Sequence, residues 1–499
     1  MRCLVTGATG YLGGRLVPRL LEDGFDARVL ARSPDRLRDV PWLPAVEVAR
    51  GDVLDVESLT SALAGVDVAY YLVHSMTAAG RGFEATDRRA AENFAAAAAR
   101  AGGARLVYLG GLSPALGELS PHLRSRREVG DILLASGVPT AVLQAAVVLG
   151  SGSASFEMLR YLTERLPVMV TPTWVRNRVQ PIAVRDVLRY LVGAATLPAS
   201  VNRPFDIGGP DVLTYAEMMA AYARVAGLRA RLLIPVPVLS PSLSSHWVGA
   251  VTPVPASIAR PLVESLRHEA ICSESDIREY VPDPAEGLLG VDDAIRLALN
   301  RIGEASVETR WSSASWPGAP SDPLPTDPNW AGGSLYVDER RTPVDAPPDA
   351  LWQVLEGIGG DRGWYSFPLA WATRGVLDRM VGGVGLRRGR RDPDHIHIGE
   401  TLDFWRVEEM IPGRLLRLRA EMRLPGLAWL ELGVQQDPEA GTTYVQRALF
   451  SPRGLAGHAY WKSVAPFHGV VFGGMARNIT AAAERSAVIG RRPAGNPYR

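Results

Sequence analysis

The sequence predicts two successive architectures, a doubly wound parallel α/β half and then an α+β half, and three observations carry that prediction. Over residues 1 to about 200, short apolar runs alternate with helical periods, as strands covered on both faces of a parallel sheet require. A glycine-rich turn stands directly between the first strand and the first helix. After about residue 334 the pattern changes to strands in series closed by a long helix.

The expected strands of the first half are Arg2 to Thr6, Ala27 to Ala31, Val46 to Ala49, Val68 to Val73, Arg105 to Leu109 and Thr140 to Ala145. Helices are expected at Tyr11 to Asp23, Val56 to Ala64, Phe83 to Ala101 and Arg124 to Ala135, with Gly24 and Gly102 where left-handed C-caps belong. From about residue 200 the half continues as a substrate-side lobe. It holds a helix from Tyr215 to Ala226, a proline-rich stretch from Pro235 to Pro261 that forbids a long helix, and a closing helix from Val291 to Ile302. Residues 303–333, rich in Pro and Ser and carrying Trp311, Trp316 and Trp330, read as a linker packed on a surface. Residues 334–487 read as the second domain and 488–499 as a tail. Its strands are expected at Ser334 to Arg340, His395 to Glu408, Leu415 to Met422, Ala428 to Val434 and Thr442 to Phe450, with helices at Asp349 to Leu355 and His458 to about Arg485.

Composition narrows the function. The 499 residues balance 54 Lys plus Arg against 53 Asp plus Glu, a net charge of +1, so no nucleic-acid partner is expected. Lys462 is the only lysine, which excludes a Schiff-base lysine, a Walker A lysine or a Tyr-x-x-x-Lys pair from the preceding chain. The two cysteines, Cys3 and Cys272, are too few for a disulfide framework or a thiolate metal site. With the first strand starting at the initiator methionine, and no apolar run near the roughly 18 residues of a spanning helix, a cytoplasmic protein without a transmembrane segment is expected.

The turn Thr6-Gly-Ala-Thr-Gly-Tyr-Leu-Gly-Gly14 carries chemistry. In GxxGxxG the first glycine makes a tight turn, the second lets bare backbone approach a pyrophosphate, and the third lets helix and sheet pack closely. The helix start adds unpaired N–H groups and the positive end of its dipole. Gly7, Thr9, Gly10, Tyr11, Leu12 and Gly13 are therefore expected to bind the cofactor. An acidic residue at the end of the second strand would hold the ribose hydroxyl of NAD(H). That place holds Arg32, followed by Ser33, and a guanidinium suits a 2′-phosphate, so NADP(H) is expected over NAD(H).

On the turn TGATGYLGG, Gly51-Asp52-Val53 and the apolar strand Tyr70-Tyr-Leu-Val73, residues 1 to about 300 resemble the extended or atypical short-chain dehydrogenase/reductases, near their NmrA-like branch. The resemblance implies a Rossmann sheet, with Asp52 and Val53 at the adenine. Hydride-transferring members use a Ser or Thr after the fifth strand and a Tyr-x-x-x-Lys pair on the next helix. In this chain Ser113 matches the first, and His122 and Arg126 stand where Tyr and Lys would be. An imidazolium can protonate a nascent alkoxide, and Arg126 could hold the nicotinamide ribose, but its charge also lowers the pKa of His122. His122 is thus either the general acid or a structural residue. His74-Ser75-Met76, at the carboxyl edge of the fourth strand, either lines the nicotinamide pocket or caps its loop. Gln144, Ala145 and Gly150 lie at a further edge that faces cofactor in relatives, and Asp186 reads as a structural cap.

The second domain, on Gly363-Trp364-Tyr365, Gly385 to Arg390, Asp403-Phe-Trp-Arg-Val407, Pro425-Gly426 and Tyr460-Trp461, resembles an uncharacterised bacterial domain similar to the START or polyketide-cyclase helix-grip fold. That resemblance implies a cavity for an apolar ligand. Trp352, Trp364, Trp371, Trp405, Trp429 and Trp461 supply the aromatic area either for such a cavity or for an ordinary core. His395 and His397 have no third ligand nearby, so no metal is expected, and the basic run from Arg387 to Arg391 reads as a solvated loop. The leading expectation is an oxidoreductase reducing an apolar carbonyl or quinone-type substrate, with the second domain holding a hydrophobic molecule. The alternatives are a non-catalytic NADP(H) sensor of NmrA-like type and a lipid carrier.

Overall fold

The computed structural model describes residues 1–38, 40–74, 83–113, 119–236, 252, 254, 256–305, 334–359, 363–365, 396–422, 424–437 and 441–490. The chain divides into two compact units, Met1–Gly333 and Ser334–Arg499. The linker tryptophans, Ser75, Met76, Trp371, the segment from Gly385 to Arg391, His395 and the end of the tail lie outside the described residues.

In the first unit β1 (Arg2–Thr6), α1 (Tyr11–Glu22), β2 (Asp26–Ala31), β3 (Glu47–Arg50), α2 (Val56–Leu63), β4 (Val68–Tyr71), α3 (Phe83–Ala101), β5 (Arg105–Gly111), α4 (Pro121–Leu134) and β6 (Thr140–Ala145) alternate as the sequence predicts. With β7 (Arg203–Ile207) the strands form one sheet in the order β7-β6-β5-β4-β1-β2-β3, and every ladder is parallel. The strand β1 shows why these runs lack polar alternation: Cys3 and Val5 face the core beneath α1, and Leu4 faces the core beneath α2 and α3. Strand order reverses between β1 and β4, and their carboxyl ends open the crevice where such sheets bind ligands.

The second lobe differs from the expectation. Phe205 to Ile207 do not begin it; they are the edge strand of the main sheet, parallel to β6. The lobe draws instead on α5 (Ala154–Arg165), which precedes β7, together with α7 (Tyr215–Val225), α8 (Ala256–Ser265) and α9 (Val291–Ala305), while α6 (Val184–Gly193) packs beneath the sheet against α1. Phe156, Leu159, Met218, Tyr222, Ala259 and Ile295 give the lobe a core of its own. A boundary at about 200 follows the chain, whereas burial follows the contacts of α5, whose apolar face fits α7 and α8 rather than the sheet.

The second unit is an antiparallel sheet of β8 (Tyr336–Val344), β9 (Thr401–Leu402), β10 (Trp405–Ile411), β11 (Leu415–Ala420), β12 (Gly426–Asp437) and β13 (Gly441–Pro452), in the order β8-β13-β12-β11-β10-β9. The helix α10 (Pro348–Glu356) and the 37-residue α11 (Gly454–Gly490) pack on it. Phe472, Met475, Ala476, Ile479 and Ala483 recur at helical spacing on the buried stripe of α11. The single strand expected over His395 to Glu408 is broken. Leu402 pairs with Trp405 across a two-residue turn, and Asp403 takes the positive φ of 55° that such hairpins need. The chain reverses at Asp403-Phe404, within the expected strand, and His397 lies outside any strand.

Away from the helices the sheet carries a cross-strand row of alternating charge: Glu339, Arg447, Glu431, Arg417 and Glu409 stand opposite one another in register. Arg417 and Arg447 each lie 3.0 Å from buried Glu431. Burial pushes the Glu431 carboxyl up from its ordinary value, against the pull of both arginines.

Candidate active site

The glycine turn lies at the switch point. Gly7 has φ +73°, and a Cβ there would come 2.6 Å from the Leu72 carbonyl oxygen; a Cβ on Gly13 would overlap the Gly7 carbonyl. The Gly10 N–H closes the turn by donating to the Gly7 carbonyl at 2.8 Å. Thr6 binds β1 to β4 there, its hydroxyl donating to the Tyr70 carbonyl at 2.9 Å and accepting from the Leu72 N–H at 3.2 Å. At the start of α1 no side chain caps the helix at Gly10 and no acidic residue occupies the first turn. An uncapped, uncharged, glycine-lined helix start fits a diphosphate. Thr9, Tyr11 and Leu12 are partly buried around it, and Gly150 packs against the Tyr11 hydroxyl.

Arg32 and Ser33 follow β2 directly. The Arg32 side chain is 73% exposed and stands 4.0 Å from the Asp52 carboxylate. Asp52 holds its own loop, accepting the Leu54 N–H at 2.9 Å, and the Val53 carbonyl accepts from Asn93 at 3.3 Å. Asp186 is wholly structural: buried, it accepts the Leu289 N–H and an Arg185 N–H, each at 2.8 Å.

On the other side of the switch point, beyond β5 and β6, a cleft opens between sheet and lobe. Leu112, Leu123, Ala145, Met158, Val179 and Leu262 make it apolar, and His122, Ser155, Tyr215 and Ser265 are among its few polar groups. The Tyr215 hydroxyl is buried without a hydrogen-bond partner.

His122 enters the cleft from the first turn of α4. Ser120 caps that helix by accepting the Leu123 N–H at 3.2 Å, and Pro121 occupies its first position, so it starts three residues before the expected Arg124. His122 and Arg126 thus share one helix but face different partners. The Arg126 guanidinium donates to the Leu109 carbonyl and lies 4.9 Å over the Tyr108 ring. Ser113, expected beside His122, donates to the Gly111 carbonyl at 3.3 Å.

The partner of His122 is His74. His122 Nδ1 lies 3.2 Å from His74 Nε2, and His74 Nδ1 lies 2.9 Å from buried Asp87 Oδ2, which also accepts from Ser125 at 3.3 Å. Burial, then the charges of His74 and Arg126, push His122 down to about 3; burial also lowers His74, against the pull of Asp87. The sequence had singled out both histidines without joining them, and Asp87 was missed. Its signal was present: Asp87 shares the apolar face of α3 with Ala90, Ala91, Phe94 and Ala98, and a carboxylate on a buried stripe needs a partner. No cluster of His, Cys, Asp or Glu fit for a metal occurs among the described residues, and no helix among them is long and apolar enough to cross a membrane.

Comparison with known proteins identifies the first unit as NAD(P)H-binding. A family described as NAD(P)H-binding matches residues 7–145, and a family described as a protein of unknown function (DUF2867) matches residues 330–475. The chain is 30% identical over 230 residues to the ceramide reductase of Caulobacter vibrioides, covering 46% of this chain and 72% of that one. It is 32% identical over 231 residues to the (4-alkanoyl-5-oxo-2,5-dihydrofuran-3-yl)methyl phosphate reductase of Streptomyces griseus, covering 45% of this chain and 73% of that one. An uncharacterised protein of Mycobacterium tuberculosis is 26% identical over 395 residues, 77% of this chain and 41% of that one.

Proposed function

The chain belongs, through its amino-terminal unit, to the NAD(P)H-binding family that includes these reductases, and on that premise we propose that it is an NADP(H)-dependent reductase of an apolar carbonyl or quinone-type substrate. One observation carries the reading: an uncapped glycine turn suited to a diphosphate and an apolar cleft entered by His122 lie at the carboxyl edge of one parallel sheet. In this reading the backbone of Gly7 to Gly13 holds the diphosphate, Asp52 and Val53 lie by the adenine, and Arg32 and Ser33 meet the 2′-phosphate, since an exposed guanidinium can form a bidentate pair there. When bound, the reduced nicotinamide supplies the two electrons of the reduction as hydride. The protein supplies the rest. The apolar walls align the substrate and exclude water, and His122 delivers the proton that the reduced oxygen needs. Ser113 and Arg126 act from the backbone of β5: Ser113 through the loop after Gly111, and Arg126 by fixing Leu109 and the pitch of α4.

The second unit, in the same reading, is a helix-grip domain of START type that holds an apolar molecule. Supporting this, Trp405, Trp429, Phe450, Tyr460, Trp461 and Phe472 line a second cleft. The test is oxidation of NADPH by the purified chain against long-chain ketones and quinones, followed by loss of dihydronicotinamide absorbance. Turnover with NADPH exceeding that with NADH supports the proposal; binding of neither nucleotide overturns it.

A further inference from the structure

We propose that Asp87, His74 and His122 form a proton relay which lets His122 protonate substrate without becoming charged itself. The inference rests on the reductase reading above and adds to it the source of the proton. With Asp87 ionised, its carboxylate only accepts, so His74 Nδ1 donates to it at 2.9 Å. The 3.2 Å contact between His74 Nε2 and His122 Nδ1 then carries a single proton that can sit on either nitrogen. This leaves Nε2 of His122, a residue that lines the cleft, as the ring nitrogen available to a substrate.

Two proton arrangements satisfy the same heavy-atom contacts. In the armed form His74 is an imidazolium paired with Asp87, its Nε2–H donates to His122 Nδ1, and neutral His122 carries its proton on Nε2. As the substrate's C=O carbon gains hydride, the C=O π pair moves to oxygen and forms a bond to the His122 Nε2 proton. His122 Nδ1 takes the proton leaving His74 Nε2. In the spent form His74 is neutral and still bonded to Asp87, and His122 is the Nδ1–H tautomer. One positive charge has left His74 through His122 to the substrate oxygen, Asp87 keeping its hydrogen bond to His74 throughout; the carbonyl has become an alcohol and the dinucleotide is oxidised. His74, whose side chain is 15% exposed, takes the next proton from water.

This arrangement resolves a conflict in the site. An isolated His122 would make a poor acid, because burial, His74 and Arg126 all oppose its charge. In the relay the charge rests on His74, where burial and Arg126 also oppose it but the Asp87 carboxylate 2.9 Å away favours it, a partner that His122 lacks. The other titratable groups packed around the pair are Tyr108 on β5 and Tyr71 on β4, both pushed up by burial, and Arg126 on α4. From the lobe, His268 and Glu269 line the cleft, the latter paired with Arg178 at 2.9 Å.

The test is nitrogen NMR of the full chain with ¹⁵N-labelled histidine, which reads the tautomer and charge of each ring without substrate or cofactor; His74→Gln and His122→Gln assign the signals. On acidification His74 should become an imidazolium and His122 should switch from Nδ1–H to Nε2–H with the same midpoint. Asp87→Asn should move that shared midpoint to lower pH. A His122 tautomer that ignores the ionisation of His74 overturns the relay whether or not the chain is a reductase. With NADPH and an accepted carbonyl, His74→Gln should lower kcat at least tenfold with KM for NADPH unchanged, and should abolish the alkaline fall in kcat. Intact turnover and pH profile in that variant would overturn the relay while leaving the reductase reading standing.

Discussion

Acidification should loosen the amino-terminal unit through His122, and His122→Gln should remove that sensitivity. The ordinary value for the imidazole is 6.5, and the folded protein holds it at about 3. The unfolded chain therefore binds a proton that the folded one refuses between those values, so stability is complete above the unfolded value and falls as pH falls toward the folded one. At about 1.36 kcal/mol per pH unit, lowering the pH from 7 to 4.5 removes about 3 kcal/mol through this one ring. The figure depends almost wholly on the unfolded value, because at pH 4.5 the folded ring is still neutral. Native-state hydrogen exchange of the β5 amides, read by mass spectrometry, measures this unit apart from the other. Comparing wild type with His122→Gln at both pH values cancels the carboxylates common to both. The wild type should lose about 3 kcal/mol more than the variant over that interval; parallel losses would refute the buried, neutral state assigned to His122.

Three further outcomes follow from single side chains. Arg32→Ala should weaken NADPH about ten- to a hundredfold and NADH hardly at all, the worth of a charge-assisted contact, as measured by calorimetric titration of both nucleotides. Gly13→Ala places a Cβ into the Gly7 carbonyl and should abolish nucleotide binding in the same titration, with a melting temperature lower than wild type. Glu431→Gln leaves Arg417 and Arg447 with only Glu409 and Glu339 as carboxylate partners and should cost the second unit about 2 kcal/mol in urea denaturation, with Arg417→Met in the same background restoring part of the loss.

The parallel sheet was legible because its rules are local. The apolar runs of the central strands are buried on both faces, Gly24 (+80°) and Gly102 (+70°) end helices at positive φ where expected, and α3 matches its expected limits of Phe83 and Ala101. Departures arise where a few residues outweigh periodicity. Ser120-Pro121 is a helix-start signature that shifts α4 forward and puts His122 in its first turn. Asp403-Phe404 reverses the chain inside what reads as one long strand. The relay was hidden for a different reason. His74 and His122 are 48 positions apart, and His74 and Asp87 are 13 apart. They meet only because β4 and β5 are adjacent parallel strands whose carboxyl ends share an edge, with α3 packed on α4. Spacing along the chain carries no trace of that meeting, whereas a lone carboxylate on the apolar face of α3 does.

Calorimetric titration of the purified full chain with NADPH and with NADH tests the central claim most directly. The account predicts one nucleotide per chain, NADPH bound more tightly than NADH, and that preference lost in Arg32→Ala. Equal affinity for the two in the wild type would contradict the role given to Arg32, and no heat with either would contradict the nucleotide site itself.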